Sequence, residues 1–428
     1  MILFKEHEKR ILSEAQVCCD GAEKQRTFSK VKPKEGDLPC YELIYRPATE
    51  DYHLKTHYYI GIDWLNQKAG TTLRVRPKLT VATDELEVDF LQMYLDCLTD
   101  TRVRPVIKDL YDIHWDEPWL TVEQQESFFT PFLLVEYLRT LEQIVRKGLK
   151  RSYQRTRRVL RGRIKGKLHI AATVGQQLRT VNQLDNVCSF DQFTVDTPEN
   201  RLLKKALQFT QRYLPELLNA KKPTEQQFLT QTLGYIRPAF QSVGTDISVR
   251  ELRNYRPNAF FTEYDRGLRL AKVILQRFGY NLNLSATQPV QIPPFWIDMS
   301  RLFELWVLHK LRERFPSDGE LQYQFPAHYQ ELDYLLKTAD YRMVIDAKYK
   351  TVYQGDGSDK ENMRQVSGYS RLRKVRNWLD VDDRQLVDCL IIYPDQTSGH
   401  EDFIQPLSIL PIAPYVGMYK YPIRLPVR

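Results

Sequence analysis

Glu331-Leu-Asp333-Tyr-Leu-Leu-Lys-Thr-Ala-Asp340-Tyr-Arg-Met-Val-Ile-Asp346-Ala-Lys348-Tyr349 is the stretch on which the fold turns. Two short apolar runs, Tyr334 to Leu336 and Met343 to Ile345, flank the polar Lys337 to Asp340, a pattern that predicts a β-hairpin. Asp346 and Lys348 are two residues apart in the second strand and so share a face. Asp333, near the start of the first strand, lies across from them. Two carboxylates and an ammonium at one sheet edge suit Mg²⁺-assisted phosphodiester hydrolysis: the carboxylates hold a hard cation, and the lysine stabilises phosphate charge or helps deprotonate water. Alone, an Asp-x-Lys in a strand is far more often a solvated face than a catalytic pair.

The flanks shift that balance. Upstream, Ser300 is placed to cap a helix from Arg301 to Phe315. Glu304 shares its apolar face with Leu308, Leu311 and Phe315, where a carboxylate needs either a core arginine or a metal. Downstream, beyond the loop Gly355 to Asp359, Gln365 and Tyr369 sit one helical turn apart. Leu386 to Pro394 then reads as a buried strand. Helix, hairpin, helix, strand with these residues resembles the PD-(D/E)XK nucleases of the RecB-like branch, with Leu332 in place of the signature proline.

The remaining sequence bounds the setting. A chain of 428 residues, 42% hydrophobic and 12% aromatic, predicts a multidomain globular protein of mixed α+β or α/β class. We expect a β-rich N-terminal domain over 1–115, a helical and basic middle region over 116–288, and a restriction-endonuclease-like core over 289–428. The strand signals are Tyr41 to Tyr45, Tyr58 to Ile62 and Thr72 to Val75, with a turn at Lys68-Ala-Gly70. The helical signals are Glu123 to Leu149, starting near Pro131, then Asn200 to Leu218, Thr224 to Ala239 and Asn258 to Phe278. Pro289 to Pro294 reads as a stiff linker.

No apolar run is long enough to span a membrane, and MILFKEHEKR lacks a signal-peptide core. Cys18, Cys19, Cys40, Cys97, Cys188 and Cys389 show no Cys-x-x-Cys spacing, which argues against a zinc ribbon and for reduced thiols in a cytoplasm. Gly162-Arg-Ile-Lys-Gly166-Lys167-Leu168 fails as a nucleotide-binding loop in both spacing and its missing hydroxyl. His53 and His57 are four apart in a strand-like stretch, lack the glutamate of a zinc-protease motif and read as surface residues.

The net charge of +8 is concentrated. From Arg146 to Lys167 the chain has no acid, and Arg151, Arg155, Arg157, Arg158, Arg161, Arg163 and Lys165 are the expected DNA-backbone contacts. A solvated interaction arm is the alternative. Such contacts give affinity without base specificity.

Several stretches together resemble the McrC family, the nuclease subunits of McrBC-type modification-dependent restriction systems. They are Gly148-Leu-Lys-Arg-Ser-Tyr153 with Leu160-Arg-Gly-Arg163-Ile164, and Cys188-Ser-Phe-Asp191-Gln-Phe193 running through Asp196-Thr-Pro198-Glu-Asn200 to Lys204. Tyr59-Ile-Gly61, Pro77-Lys78, Phe303-Glu304 and Ile345-Asp346-Ala-Lys348-Tyr349 complete the series. For Asp191, Asp196 and Asn200 themselves, capping and turn chemistry outweighs catalysis.

The resemblance implies an endodeoxyribonuclease acting with an McrB-like AAA+ GTPase hexamer that binds the GTP, reads methylated double-stranded DNA and is stimulated by this chain. It implies Asp333, Asp346 and Lys348 as the catalytic triad, with Glu304, Gln365 and Tyr369 accessory. Asp333, Asp346 and the Ala347 carbonyl would hold Mg²⁺, with Mn²⁺ a possible substitute. Two alternatives stay open: a stand-alone RecB-like repair nuclease, and a non-cleaving activator or scaffold of the motor. Residues 1 to about 55 match nothing in the family.

Overall fold

The computed structural model describes residues 1–13, 17, 28–30, 38–78, 87–123, 129–218, 222–247, 261–279, 289–328, 330–354, 357–404, 406–413 and 415–427. Cys18, Cys19, the start of the loop at Gly355, and residues 124–128 and 258–260 of the helices expected from Glu123 and Asn258 lie outside them, while Glu123 itself ends a strand. The chain forms two compact units: 1–120 together with 293–428, and 121–292. No helix among the described residues is long and apolar enough to cross a membrane.

In the first unit, strands β1 (Ile2–Lys5), β2 (Lys9–Leu12), β3 (Phe28–Lys30), β4 (Tyr41–Arg46), β5 (Asp51–Thr56), β6 (Tyr59–Asn66) and β7 (Thr71–Arg76) open the chain. A four-stranded sheet runs β2-β5-β4-β3, while β1 pairs in parallel with β7 and β7 antiparallel with β6. Period-two alternation buries Tyr41, Tyr52, Leu54, Leu73 and Val75 in one cluster with Phe4. Gly70 closes the β6–β7 turn at φ +68°, a left-handed conformation that glycine adopts without a Cβ clash. His57 is buried rather than on the surface, with Nε2 3.6 Å from Glu42; it follows β5 directly, and its backbone N–H donates to the Cys40 carbonyl while its carbonyl accepts from the His7 N–H. Helix α1 (Phe90–Thr99), capped by Asp89, and β8 (Tyr111–Ile113) follow.

The second unit is entered and left through the paired strands β9 (Leu120–Glu123) and, at its end, Pro289–Ile292. Helix α2 (Phe129–Lys147) carries Pro131 in its first turn, where no intrahelical N–H is lost. Next come β10 (Ser152–Arg161), β11 (Lys167–Leu168), α3 (Ile170–Thr180) and β12 (Asp185–Thr194), then α4 (Pro198–Leu218), α5 (Pro223–Ala239) and α6 (Thr262–Gly279). The middle region is therefore not helical throughout: β10, β12 and β11 form an antiparallel sheet with α3 packed on β12. Asn200 is fully buried as a structural knot. Its Nδ2 donates to the carbonyls of Lys150 and Val195, and its Oδ1 accepts from Tyr264 Oη. Asp196 pairs with Arg201 through both oxygens, at 2.7 and 2.8 Å.

The chain returns to the first unit after β13 (Pro289–Ile292), so the expected stiff linker is a strand. Strand β14 (Phe295–Asp298) runs antiparallel between β6 and β8, completing the order β1-β7-β6-β14-β8. At the crossing a Cβ on Gly61 would stand 2.0 Å from the Phe295 carbonyl oxygen, so only glycine fits. Helix α7 (Met299–Arg314) is capped by Asp298, which accepts from the Arg301 N–H at 2.9 Å; the cap is two residues earlier than Ser300. Trp306 Nε1 on α7 donates to Asp96 Oδ2 on α1 at 3.0 Å.

Then follow β15 (Leu321–Ala327), β16 (Gln330–Lys337), β17 (Arg342–Ala347), α8 (Lys360–Tyr369), α9 (Arg373–Leu379), β18 (Asp388–Pro394), β19 (Leu410–Pro411) and β20 (Met418–Ile423). The mixed sheet runs β15-β16-β17-β18-β20-β19, antiparallel up to β17 and parallel from β17 through β20. One face packs Leu332, Leu335, Val344, Cys389 and Ile391 against Met363 and Val366 of α8. Cys40, Cys97, Cys188 and Cys389 are buried.

Candidate active site

Strands β16 and β17 pair as the sequence pattern predicts, with Tyr334 opposite Ile345 and Leu335 opposite Val344. One step beyond, the Ala347 N–H donates to Asp333 Oδ2 at 2.9 Å, locking the first carboxylate to the strand that carries the second. Beyond β17 the Lys348 N–H donates to the Ile392 carbonyl at 2.9 Å, so the chain continues along β18. The Lys348 ammonium then lies 2.9 Å from Asp346 Oδ2 and donates to Gln365 Oε1 at 3.3 Å. Gln365 Nε2 in turn donates to Tyr369 Oη at 2.8 Å. Asp333, Asp346, Lys348, Gln365 and Tyr369 therefore form one connected set.

Glu304 approaches from α7. Its Oε1 accepts from Arg301 NH1 at 2.7 Å and from Tyr323 Oη at 2.8 Å, and Tyr334 Oη donates to its carbonyl. The core-arginine role weighed for Glu304 is thus occupied, while its charge still acts on Asp333. The pattern-based reading missed Arg301 and Tyr323. Arg301 stands three residues before Glu304, a spacing that signals a helical ion pair; Tyr323 had no local signal.

Burial governs the electrostatics. Asp346 is 2% exposed. Burial, then the neighbouring Asp346 and Glu304 charges, hold the Asp333 pKa well above the usual carboxylate range. Burial also raises that of Asp346, against the pull of Lys348. Burial disfavours the Lys348 charge, but Asp346 and Asp333 outweigh it and its pKa rises above that of an ordinary lysine. Lys348 is consequently a fixed cation at neutral pH.

Asp346 Oδ2 is buried and accepts no hydrogen bond; the nearby ammonium is an ion-pair partner that is not aligned on it as a donor. Two buried oxygen-only ligands whose charges repel each other, one with a vacant lone pair, fit a hard divalent cation.

The basic stretch lies in the second unit. Arg155, Arg157 and Arg161 alternate along one face of β10 and Arg158 faces the other way; Arg151, Arg163 and Lys165 flank the strand. All seven are exposed. Tyr153, Val159 and Phe193 are exposed beside them, and Tyr153 packs on Phe193 with centroids 5.2 Å apart.

The family model described as "McrBC 5-methylcytosine restriction system component" matches residues 54–379. The chain belongs to this McrBC family. The match takes in the segment from Asp191 to Lys204 and every candidate catalytic residue, and it agrees with the resemblance carried by the sequence motifs. No curated protein matches. Among solved structures, the chain is similar to one described as a half-complex from a tetradecameric assembly of Thermococcus gammatolerans McrB AAA+ hexamers with bound McrC. That likeness is at 14% identity and TM-score 0.42, covering 99% of this chain and 94% of that one. A second similarity, to the cryo-EM structure of the Thermococcus gammatolerans McrBC complex, is at 12% identity and TM-score 0.29, covering 73% and 88%.

Proposed function

We propose that this chain is the Mg²⁺-dependent DNA endonuclease subunit of a GTP-dependent, modification-dependent restriction complex. The convergence of Asp333, Asp346 and Lys348 on and just past the neighbouring strands β16 and β17, which lie inside the sheet and not at the edge expected from sequence, carries the proposal. The strand and helix order around it, α7, β15–β17, α8 and β18 with a parallel β17–β18 pair, supports reading it as a PD-(D/E)XK core.

Bound between Asp333, Asp346 and the Ala347 carbonyl, Mg²⁺ or its substitute Mn²⁺ would supply Lewis-acid polarisation at the scissile phosphate. Asp333 is fixed for this by the Ala347 N–H, so its geometry is set before substrate arrives. Lys348, held by Asp346 and Gln365, donates to a non-bridging phosphate oxygen and neutralises the negative charge that develops there. Its raised pKa suits that role and not proton abstraction. Gln365 and Tyr369 position Lys348, and Glu304 supports the far wall through Arg301 and Tyr323. The exposed arginines of β10 contact the DNA backbone.

Family membership supports a partner AAA+ GTPase that binds the GTP, reads the methylated duplex and is stimulated by this chain. Cleavage of methylated plasmid by the chain, with and without its AAA+ partner and GTP, tests this division of labour. Cutting that needs both is expected. Equal cutting by the chain alone would instead indicate a RecB-like repair nuclease.

A further inference from the structure

Beside β17 the first unit holds an open pocket of about 230 Å³ whose lining includes His7, Tyr58, Lys78, Tyr349, Lys350 and Asp359. We propose that it is a second phosphate subsite, taking the DNA-backbone phosphate of a nucleotide next to the scissile one through His7, Tyr58, Lys78 and Lys350. The proposal rests on the nuclease reading above and adds residues to that site.

Four separate chain segments bring these groups together: the β1–β2 turn, the β5–β6 turn, the end of β7 and the chain after β17. His7 sits at φ +54° with its ring edge-on to Tyr58, centroids 3.8 Å apart, and its Nε2 is buried without a hydrogen-bond partner. An orphaned ring nitrogen is unfavourable, and in the Nε2–H tautomer of the neutral ring it would donate to a phosphate oxygen. Burial, then the charges of Lys78, His57, Lys350 and Lys55, lower the His7 pKa to about 4. The ring is therefore neutral in a cationic field, a setting that attracts an anion.

Lys78 is exposed at its side chain, while its backbone N–H is anchored on Glu6 Oε2 at 3.0 Å. Lys350 is held by Asp359 at 2.9 Å and by Asn362 at 3.4 Å. Asp359 is engaged in capping α8 as well, through the N–H groups of Glu361 and Asn362. The balance of the lining is one net positive charge, which suits a phosphodiester.

The cavity also adjoins the chemistry. Tyr349 and Lys350 directly follow Lys348; the charge of Lys350 acts on Asp346, and that of Lys348 on Tyr58. Its volume is that of several waters, room for a phosphate and its hydration but not for a base pair.

Anisotropy of a labelled duplex bound by the full chain in EDTA, over a range of salt, tests the subsite without catalysis. Lys78→Gln should flatten the slope of log affinity against log salt by about 0.9 and weaken binding on the order of tenfold at low salt. Tyr58→Phe should weaken binding a few-fold and keep the slope, and Lys68→Gln in the β6–β7 turn should change neither. An unchanged slope in Lys78→Gln, or no binding by the unaltered chain at low salt, overturns the proposal.

Asp346→Ala separates the two readings: it should abolish cleavage while retaining the slope, so a normal Lys78→Gln slope sinks the subsite alone. A titration of inorganic phosphate followed at the His7 ring resonances distinguishes the source of the ligand. A shift there together with an unchanged duplex slope in Lys78→Gln would assign the cavity to a free anion and overturn the DNA assignment.

Discussion

Lys348 illustrates how much one side chain's role depends on its neighbours. The carboxylates beside it raise its pKa, so at neutral pH it is held as a cation, which suits the proposed role of charge and not that of base. Lys348→Ala should lower single-turnover cleavage on the order of a hundredfold or more, the scale of losing one transition-state charge donor. It should also leave duplex affinity within a few-fold, and equal losses in both would contradict the assignment.

Glu6 provides a separate test at this scale. Fully buried, it accepts from Tyr349 Oη and from the Lys78 N–H, each at 3.0 Å, and burial pushes its pKa from 4.5 up to about 8. The folded chain thus holds this proton more tightly than the unfolded chain does. The associated stability is complete below about pH 4.5 and is lost as pH rises to about 8. Glu6→Gln keeps the acceptor without the charge. Its melting temperature should gain on that of the unaltered chain between pH 5 and pH 8, and a pH-independent difference would refute the account.

Among the elements, the hairpin was the most legible because two short apolar runs flank a polar turn. Its side-chain contacts were legible too: Asp333, Asp346 and Lys348 meet because strand alternation fixes which side chains share a face. The sheet of β10–β12 was not legible, since arginines and polar residues replace the apolar positions that reveal alternation. The linker at Pro289 was misread because a short proline-flanked segment carries no local sign of a distant partner strand. Gly61 lets β14 approach β6. Gly61→Ala should destabilise the first unit by about 1–3 kcal/mol, the usual range for overpacking, as read by urea unfolding. In β10, the triple change of Arg155, Arg157 and Arg161 to Gln should flatten the salt slope of duplex binding by roughly 2.7 with the melting temperature unchanged. A preserved slope would reassign that face to a protein partner, which the exposed Tyr153, Val159 and Phe193 would suit.

For the molecule as a whole, the segments 1–120 and 293–428, separated by 172 residues of sequence (121 to 292), fold as one unit because β14 completes the N-terminal sheet. Sequence patterns could not reveal that, since strand pairing between Phe295 and Ile62 leaves no local trace. The same union places the β1–β2 turn beside the chain that follows β17, as the Glu6–Tyr349 hydrogen bond records. The most direct test of the central claim is cleavage of methylated supercoiled plasmid in Mg²⁺ by the complete complex carrying either the unaltered chain or Asp346→Ala. The account predicts that the variant complex still hydrolyses GTP and binds DNA but leaves the plasmid intact. Undiminished cutting by the variant would place the active site elsewhere.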